Sequence, residues 1–153
     1  MSRKFKLTIE LVPKTSWCKN LRKEMKKPAW DRLRKRTYAE YNHKCGICGS
    51  EERLNCHEIW KYDDQNHIQK LDGFIALCWL CHHVKHIGLA RVLANRGELN
   101  FDMVVEHFLK VNQCGVRDFE RHKKKALIQW AERSKHEWEV DLGEYQSLVR
   151  NNN

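Results

Sequence analysis

The stretch CWLCHHVKH, residues 78–86, contains a C-x-x-C pair that is followed directly by histidines. A matching pair, CGIC, lies at residues 45–48. Zinc binds four thiolates at tetrahedral positions about 2.3 Å away, and the tight turn within each C-x-x-C pair spaces two sulfurs for that geometry. A hairpin between the two pairs would bring them together. The pattern therefore predicts one structural Zn²⁺ ion with four cysteine ligands, Cys45, Cys48, Cys78 and Cys81.

The cysteine count favours metal binding over disulfide bonding. The chain has seven cysteines, an odd number, and no apolar secretion-signal core follows Met1. We therefore expect a cytoplasmic protein whose paired cysteines bind metal in a reducing compartment. Two alternatives stay open, in which the four cysteines are reduced core thiols or one pair is a redox dithiol. The isolated Cys18 and Cys114 are expected to be buried thiols.

Three histidines near the second cysteine pair form a second candidate metal site. His82 and His86 are four residues apart, so both project from one face of a helix that begins at this pair. Residues 53–62 and 68–76 have the character of two strands, and His57 lies near the end of the first strand, beside the start of the helix. The three imidazoles could bind a second ion. Alternatively, they are polar rim residues or substitute zinc ligands.

The charge of the chain is concentrated at its N-terminal end. The 153 residues carry a formal net charge of +9, and residues 1–44 contain 14 basic but only four acidic side chains. Such a block favours a polyanionic partner, most simply nucleic acid, although a solvated helix face is the alternative. A membrane span is excluded, because the longest strongly apolar stretch, Phe74–Leu80, is far shorter than the roughly 20 residues a bilayer requires.

Hydrophobic periodicity predicts strands and helices in one α+β chain. Apolar residues alternate over residues 4–12, which predicts a strand. Thr15 or Ser16 is the expected cap of the first helix, and Pro28 suits the first turn of the second. The predicted helices cover residues 17–26, 28–42, 82–95, 101–112 and 116–137, with a last helical turn at 143–149.

Three ordered elements resemble the HNH endonuclease family, the ββα-metal nucleases. They are the pair CGIC (residues 45–48), the strand end LNCHEI (residues 54–59) and the stretch LCWLCHHVKH (residues 77–86). The resemblance covers about residues 30–90 and includes a basic helix with Trp30 before the first pair. It implies a small zinc-bound ββα-metal core at residues 28–97. An N-terminal strand and basic helix would precede this core at residues 1–27, and a mostly helical C-terminal extension would follow it at residues 98–153.

The resemblance also implies a chemistry for the histidines. In this family one divalent ion binds the scissile phosphate, and a neighbouring residue accepts a proton from the attacking water. His82 matches the helix ligand, and His86 matches the last histidine, a ligand or a phosphate contact. If Ile59 keeps its place in the pattern, His57 is the strand ligand and Glu58 the base. If the alignment shifts by one, Cys56 is the ligand and His57 the base.

The ligand types restrict the second ion. Three imidazoles favour Zn²⁺, Ni²⁺ or Mn²⁺, whereas Mg²⁺ prefers oxygen ligands. Mg²⁺ becomes an option if Glu58, Asp63 or Asp64 joins the site. The expected cofactors are therefore a structural Zn²⁺ and one catalytic divalent metal ion.

The leading functional hypothesis is a metal-dependent endonuclease that cuts or nicks double-stranded DNA. Basic side chains of the second helix would contact the phosphate backbone, namely Arg32, Arg34, Lys35 and Arg36. The run Lys123–Lys125 could add to this contact or be a solvated helix face. The main alternative is a catalytically inactive zinc-ribbon module that binds nucleic acid, and a weaker one is a zinc-stabilised protein adaptor. The C-terminal helices are candidates for core packing or for a homodimer contact.

Overall fold

The computed structural model of the chain describes residues 4–149, which form helices around one small three-stranded sheet. The predicted α+β class is confirmed. In chain order the elements are α1 (Leu21–Glu24), α2 (Lys27–Glu40), β1 (Leu54–Asp63), β2 (Ile68–Cys78), α3 (Trp79–Lys85), α4 (Ile87–Asn95), α5 (Phe101–Asn112), α6 (Val116–Arg133), β3 (Glu139–Asp141) and a 3-10 helix (Gly143–Leu148). No helix in this described range is long and apolar enough to cross a lipid bilayer.

An antiparallel hairpin forms the centre of the sheet. β1 and β2 pair from Leu54 opposite Cys78 to Asp63 opposite Ile68, close to the predicted strand ranges. A short turn at residues 64–67 connects the two strands. Because α3 begins directly after Cys78, the hairpin brings the start of this helix next to the beginning of β1. β3 pairs in parallel with β2. The sequence analysis did not predict β3.

The turn that contains the first cysteine pair approaches the sheet closely at Gly46. The N–H of Gly46 donates to the carbonyl of Ala76 in β2, at 2.8 Å. A Cβ atom on this residue would lie 2.7 Å from the ring of Tyr41 and 2.9 Å from the side chain of Ile75. The turn can therefore reach β2 only with a residue that has no side chain, and this contact holds Cys45 beside the end of that strand.

The two N-terminal helices differ in how well the sequence predicts them. α2 agrees with its prediction to within two residues at its C-terminal end, and Pro28 lies in its first turn as expected. α1 is much shorter than predicted. Its cap is Asn20, whose side chain accepts a hydrogen bond from the N–H of Arg22. Ser16 does not cap it, because the buried hydroxyl of Ser16 donates to Gln69 at 2.6 Å instead.

The strand predicted over residues 4–12 is wrong. The structure assigns no strand there, although Leu7 and Ile9 are buried as the alternation requires. The backbone of this segment bonds mostly to side chains rather than to a neighbouring strand, and the N–H of Glu10 donates to the carbonyl of Lys85 in α3 at 3.2 Å. The amide of Asn112 in α5 pairs with both the N–H and the carbonyl of Leu7, at 2.9 and 2.8 Å. Likewise, His122 in α6 accepts from the N–H of Ile9 at 2.9 Å.

The helix predicted over residues 82–95 is two helices. His86 separates α3 from α4, with backbone angles φ −102° and ψ 56° that lie outside the helical region. α5 confirms its prediction, including the cap at Asn100. α6 ends at Arg133, four residues before the predicted end, because the chain turns there towards β3.

The interior formed by residues 4–149 contains two apolar clusters. The first lies around α3, α4 and α5 and contains the four predicted zinc ligands together with Val84, Val104 and Phe108. The second lies between α1, α2 and the sheet, and contains Leu21 and Leu142. Residues of the predicted C-terminal extension, 98–153, pack in both clusters. This region therefore contacts both the cluster that contains the predicted zinc ligands and the cluster beside the sheet.

Candidate metal centres

The four predicted zinc ligands lie together. The sulfurs of Cys45, Cys48, Cys78 and Cys81 are all within 4.8 Å of one another. Cys48 and Cys78 are 3.6 Å apart at their Sγ atoms, close to the edge of about 3.8 Å that a tetrahedron with zinc–sulfur bonds of about 2.3 Å requires. The donor set and its spacing therefore fit one zinc ion.

The thiols of this cluster do not ionise independently. Hydrogen bonds from Cys78 and Cys81 lower the pKa of Cys45. The contact with Cys45 raises the pKa of Cys78 to about 12, and contacts with Cys45 and Cys78 raise that of Cys81. Several thiolates so close together repel one another, and a divalent cation supplies the positive charge that lets all four exist.

His107 of α5 touches the same cluster. Its Nε2 lies 3.1 Å from the sulfur of Cys81 and 4.0 Å from that of Cys78. The sequence analysis gave this residue no role. Its position follows from the packing of α5 against α3, and no local motif marks it.

The structure also brings the three candidate histidines together. His57 lies on β1, His82 on α3, and His86 at the residue where α3 ends. One ring nitrogen from each lies within 4.8 Å of the others. His57 is only 4% exposed, and neither of its ring nitrogens has a hydrogen-bond partner within residues 4–149. Because buried polar atoms are almost always paired, this ring points to a ligand that the protein binds.

The environment keeps the helix histidines neutral. Burial, with the nearby rings of His86 and His57, lowers the pKa of His82 to about 3. Burial, with His57 and His83, lowers the pKa of His86 to about 4. Neutral imidazoles have free lone pairs, so both side chains are ready to bind a cation at neutral pH.

Glu10 is a neighbour of this site that the sequence analysis missed. Its Oε2 lies 3.6 Å from Nε2 of His57, and its Oε1 accepts a bond of 2.7 Å from the buried ammonium of Lys85. Burial alone would raise the pKa of Glu10, but His57 and Lys85 outweigh it and lower the pKa to about 2. The carboxylate is therefore ionised and lies where it can orient His57. No local signal connects these residues, which are far apart in the chain.

Glu58 and Cys56 lie on the opposite face of β1 from His57, because side chains alternate along a strand. Oε1 of Glu58 accepts a hydrogen bond of 2.9 Å from the N–H of Leu21, the first residue of α1. Cys56 packs in the second apolar cluster. The structure thus places His57, and not Cys56, beside His82 and His86.

A basic cleft lies in front of the histidines. It has a volume of about 560 Å³, and Glu58, His82 and His86 form part of its wall. Its basic side chains are Lys19, Arg22, Lys27, Arg34 and Arg53. Of the four basic residues singled out on α2, Arg34 lines the cleft, while Arg32, Lys35 and Arg36 are exposed on the helix and do not contribute to its described lining.

No protein-family model matches this chain, and neither a comparison with curated proteins nor one with solved structures finds a match.

Proposed function

We propose that the chain is a metal-dependent endonuclease of the HNH type that hydrolyses DNA phosphodiester bonds. The observation that carries the proposal is the buried ring of His57, whose nitrogens have no hydrogen-bond partner within residues 4–149 and which lies beside His82 and His86. The cleft beside His82 and His86 is lined by basic side chains, which suit a phosphate backbone.

His57, His82 and His86 would hold the divalent ion. When bound, the ion neutralises charge on the phosphate and stabilises the leaving oxygen. The basic side chains of the cleft wall position the backbone without reading its sequence. Glu10 holds His57 in place through the same kind of carboxylate–histidine contact that orients metal-binding histidines in other proteins.

Glu58 is the candidate general base. Two carboxylates line the described part of the cleft, and Asp31 is ion-paired with Lys27 and Arg34, at 2.8 and 3.1 Å. Within residues 4–149, Glu58 accepts a hydrogen bond at Oε1 alone, from the N–H of Leu21, so its second oxygen can accept a proton from water.

A DNA-binding module without catalysis is the second candidate. The bond between Glu58 and Leu21 favours it, because capping of α1 explains the position of this carboxylate without any role in catalysis. In that case the cleft binds the backbone and nothing is cut.

The test is incubation of the purified protein with supercoiled plasmid in the presence of Mg²⁺, Mn²⁺, Ni²⁺, Zn²⁺ or EDTA. We expect nicking that requires added metal and that His82→Ala abolishes, while DNA binding persists. His136→Ala is the matched control, since His136 is half-exposed and stacks on His67 away from the cleft. Binding without nicking under every metal supports the inactive module instead.

A further inference from the structure

We propose that His107 donates a hydrogen bond from Nε2–H to the sulfur of Cys81 in the metal-bound cysteine cluster, and that this bond fastens α5 to the zinc site. The 3.1 Å contact between these two atoms carries the proposal. It concerns the cysteine cluster alone and is independent of whether the chain cuts DNA.

The charge of the cluster requires such a donor. Four thiolates around one Zn²⁺ leave a net charge of −2, which is costly in an apolar interior unless hydrogen bonds spread it. Cys78 and Cys81 are at most 1% exposed, so water has little access to them. Their donors must therefore come from the protein.

The described part of the chain supplies few donors near these two sulfurs. The N–H of Cys81 donates to the sulfur of Cys78 at 3.4 Å. His107 adds a donor that points at Cys81 from a different helix. Lys6, Lys110 and Glu52 line the same pocket of about 480 Å³ beside the cluster, so basic side chains outnumber acidic ones there.

His107 acts as a donor to a ligand rather than as a ligand itself. The four cysteines already supply the four ligands that a tetrahedral zinc site requires, with sulfurs within 4.8 Å of one another. A thiolate can only accept a hydrogen bond, so the contact fixes the proton of the imidazole on Nε2. The ring thereby links α5 to α3 through a polar contact in addition to the apolar packing of Val104 and Phe108.

The consequence is a coupling between metal binding and the C-terminal helices. Partners of this type typically contribute about 10-fold to 100-fold to metal affinity. Loss of the His107 donor should therefore weaken zinc binding, and loss of zinc should loosen α5.

The experiment compares zinc release to a colorimetric chelator from the wild-type protein and from three variants. His107→Phe keeps the bulk of the ring but removes the donor, whereas His107→Gln keeps an N–H donor. Glu106→Ala changes the exposed neighbouring residue on α5 and is the control. We expect zinc release about tenfold faster or more for His107→Phe, within about threefold of wild type for His107→Gln, and unchanged for Glu106→Ala. Circular dichroism before chelation shows that each variant is folded.

The Co²⁺-substituted protein gives a second, independent readout. Four thiolates produce the charge-transfer intensity of a tetrathiolate site, and we expect that intensity for the wild type and for His107→Gln. The proposal is overturned if His107→Phe retains zinc as tightly as the wild type. It is equally overturned if the wild-type spectrum is that of three thiolates and one imidazole, because His107 would then be a ligand.

Discussion

Replacement of Glu58 separates the two roles that the structure offers for this residue. Its carboxylate accepts a hydrogen bond from the N–H of Leu21, which is fully buried at the start of α1. It also lines the basic cleft next to His82 and His86. A structural cap and a general base make different demands on the side chain, so Glu58→Ala and Glu58→Gln should behave differently.

The stability effect can be worked from the single hydrogen bond. Glu58→Ala leaves the buried N–H of Leu21 without this acceptor, at a cost of about 2 kcal/mol. In a chain of this length that cost lowers Tm by about 4–8 °C. Glu58→Gln keeps a carbonyl acceptor and loses only the strengthening by charge, so Tm should fall by less than about 4 °C.

Glu58→Gln should lose cleavage even though it keeps most of the stability. A general base contributes about 100-fold to 10,000-fold, and an amide cannot accept the proton. Glu58→Gln should therefore remain folded and lose at least about 100-fold in the rate of plasmid nicking, measured with saturating metal. The surface variant Glu98→Gln serves as the control. A Glu58→Gln protein that nicks at the wild-type rate would refute the assignment of the base, and a Glu58→Ala protein with wild-type Tm would refute the cap.

Three further predictions test other contacts of the two sites. Glu10→Gln should weaken divalent metal binding at the histidines by about tenfold, as measured by calorimetry, because the partner that orients His57 loses its charge. Gly46→Ala should destabilise the protein by about 1–3 kcal/mol in urea titrations, since the new methyl group would overlap the ring of Tyr41. Folding lowers the pKa of His82 from 6.5 to about 3, so the unfolded chain binds a proton first. The free energy of unfolding of the metal-free protein should therefore decrease as the pH falls from about 6.5 towards 3. A flat profile in urea titrations over that range would contradict the lowered pKa of His82 in the folded protein.

The spacing of ligands in the sequence predicts the local part of each metal site. A C-x-x-C turn spaces two sulfurs, and an interval of four residues on a helix spaces two imidazoles, whatever surrounds them. The hairpin between the cysteine pairs follows from the strand character of residues 53–62 and 68–76 and from the polar stretch at residues 63–66 that connects them. These features were predicted because each depends on residues that are close in the chain.

The incorrect predictions arise where distant residues provide the partners. Residues 4–12 have the alternation of a strand, but the amide of Asn112 and the ring of His122 satisfy their backbone in place of a second strand. The sequence predicts one continuous helix over residues 82–95, but the backbone leaves the helical region at His86 and separates α3 from α4. Burial follows periodicity in both segments, whereas hydrogen bonding depends on what lies opposite after folding.

Short-range spacing is thus sufficient to identify the candidate metal ligands that the fold brings together, since a tight turn or a helical turn has much the same geometry in any protein. The contacts of Glu10 with His57, of His107 with Cys81, and of Glu58 with Leu21 each join segments that folding alone brings together. They depend on how α1, α5 and the N-terminal segment pack on the hairpin. Packing depends on the whole interior, so no local pattern of residues predicts these three contacts.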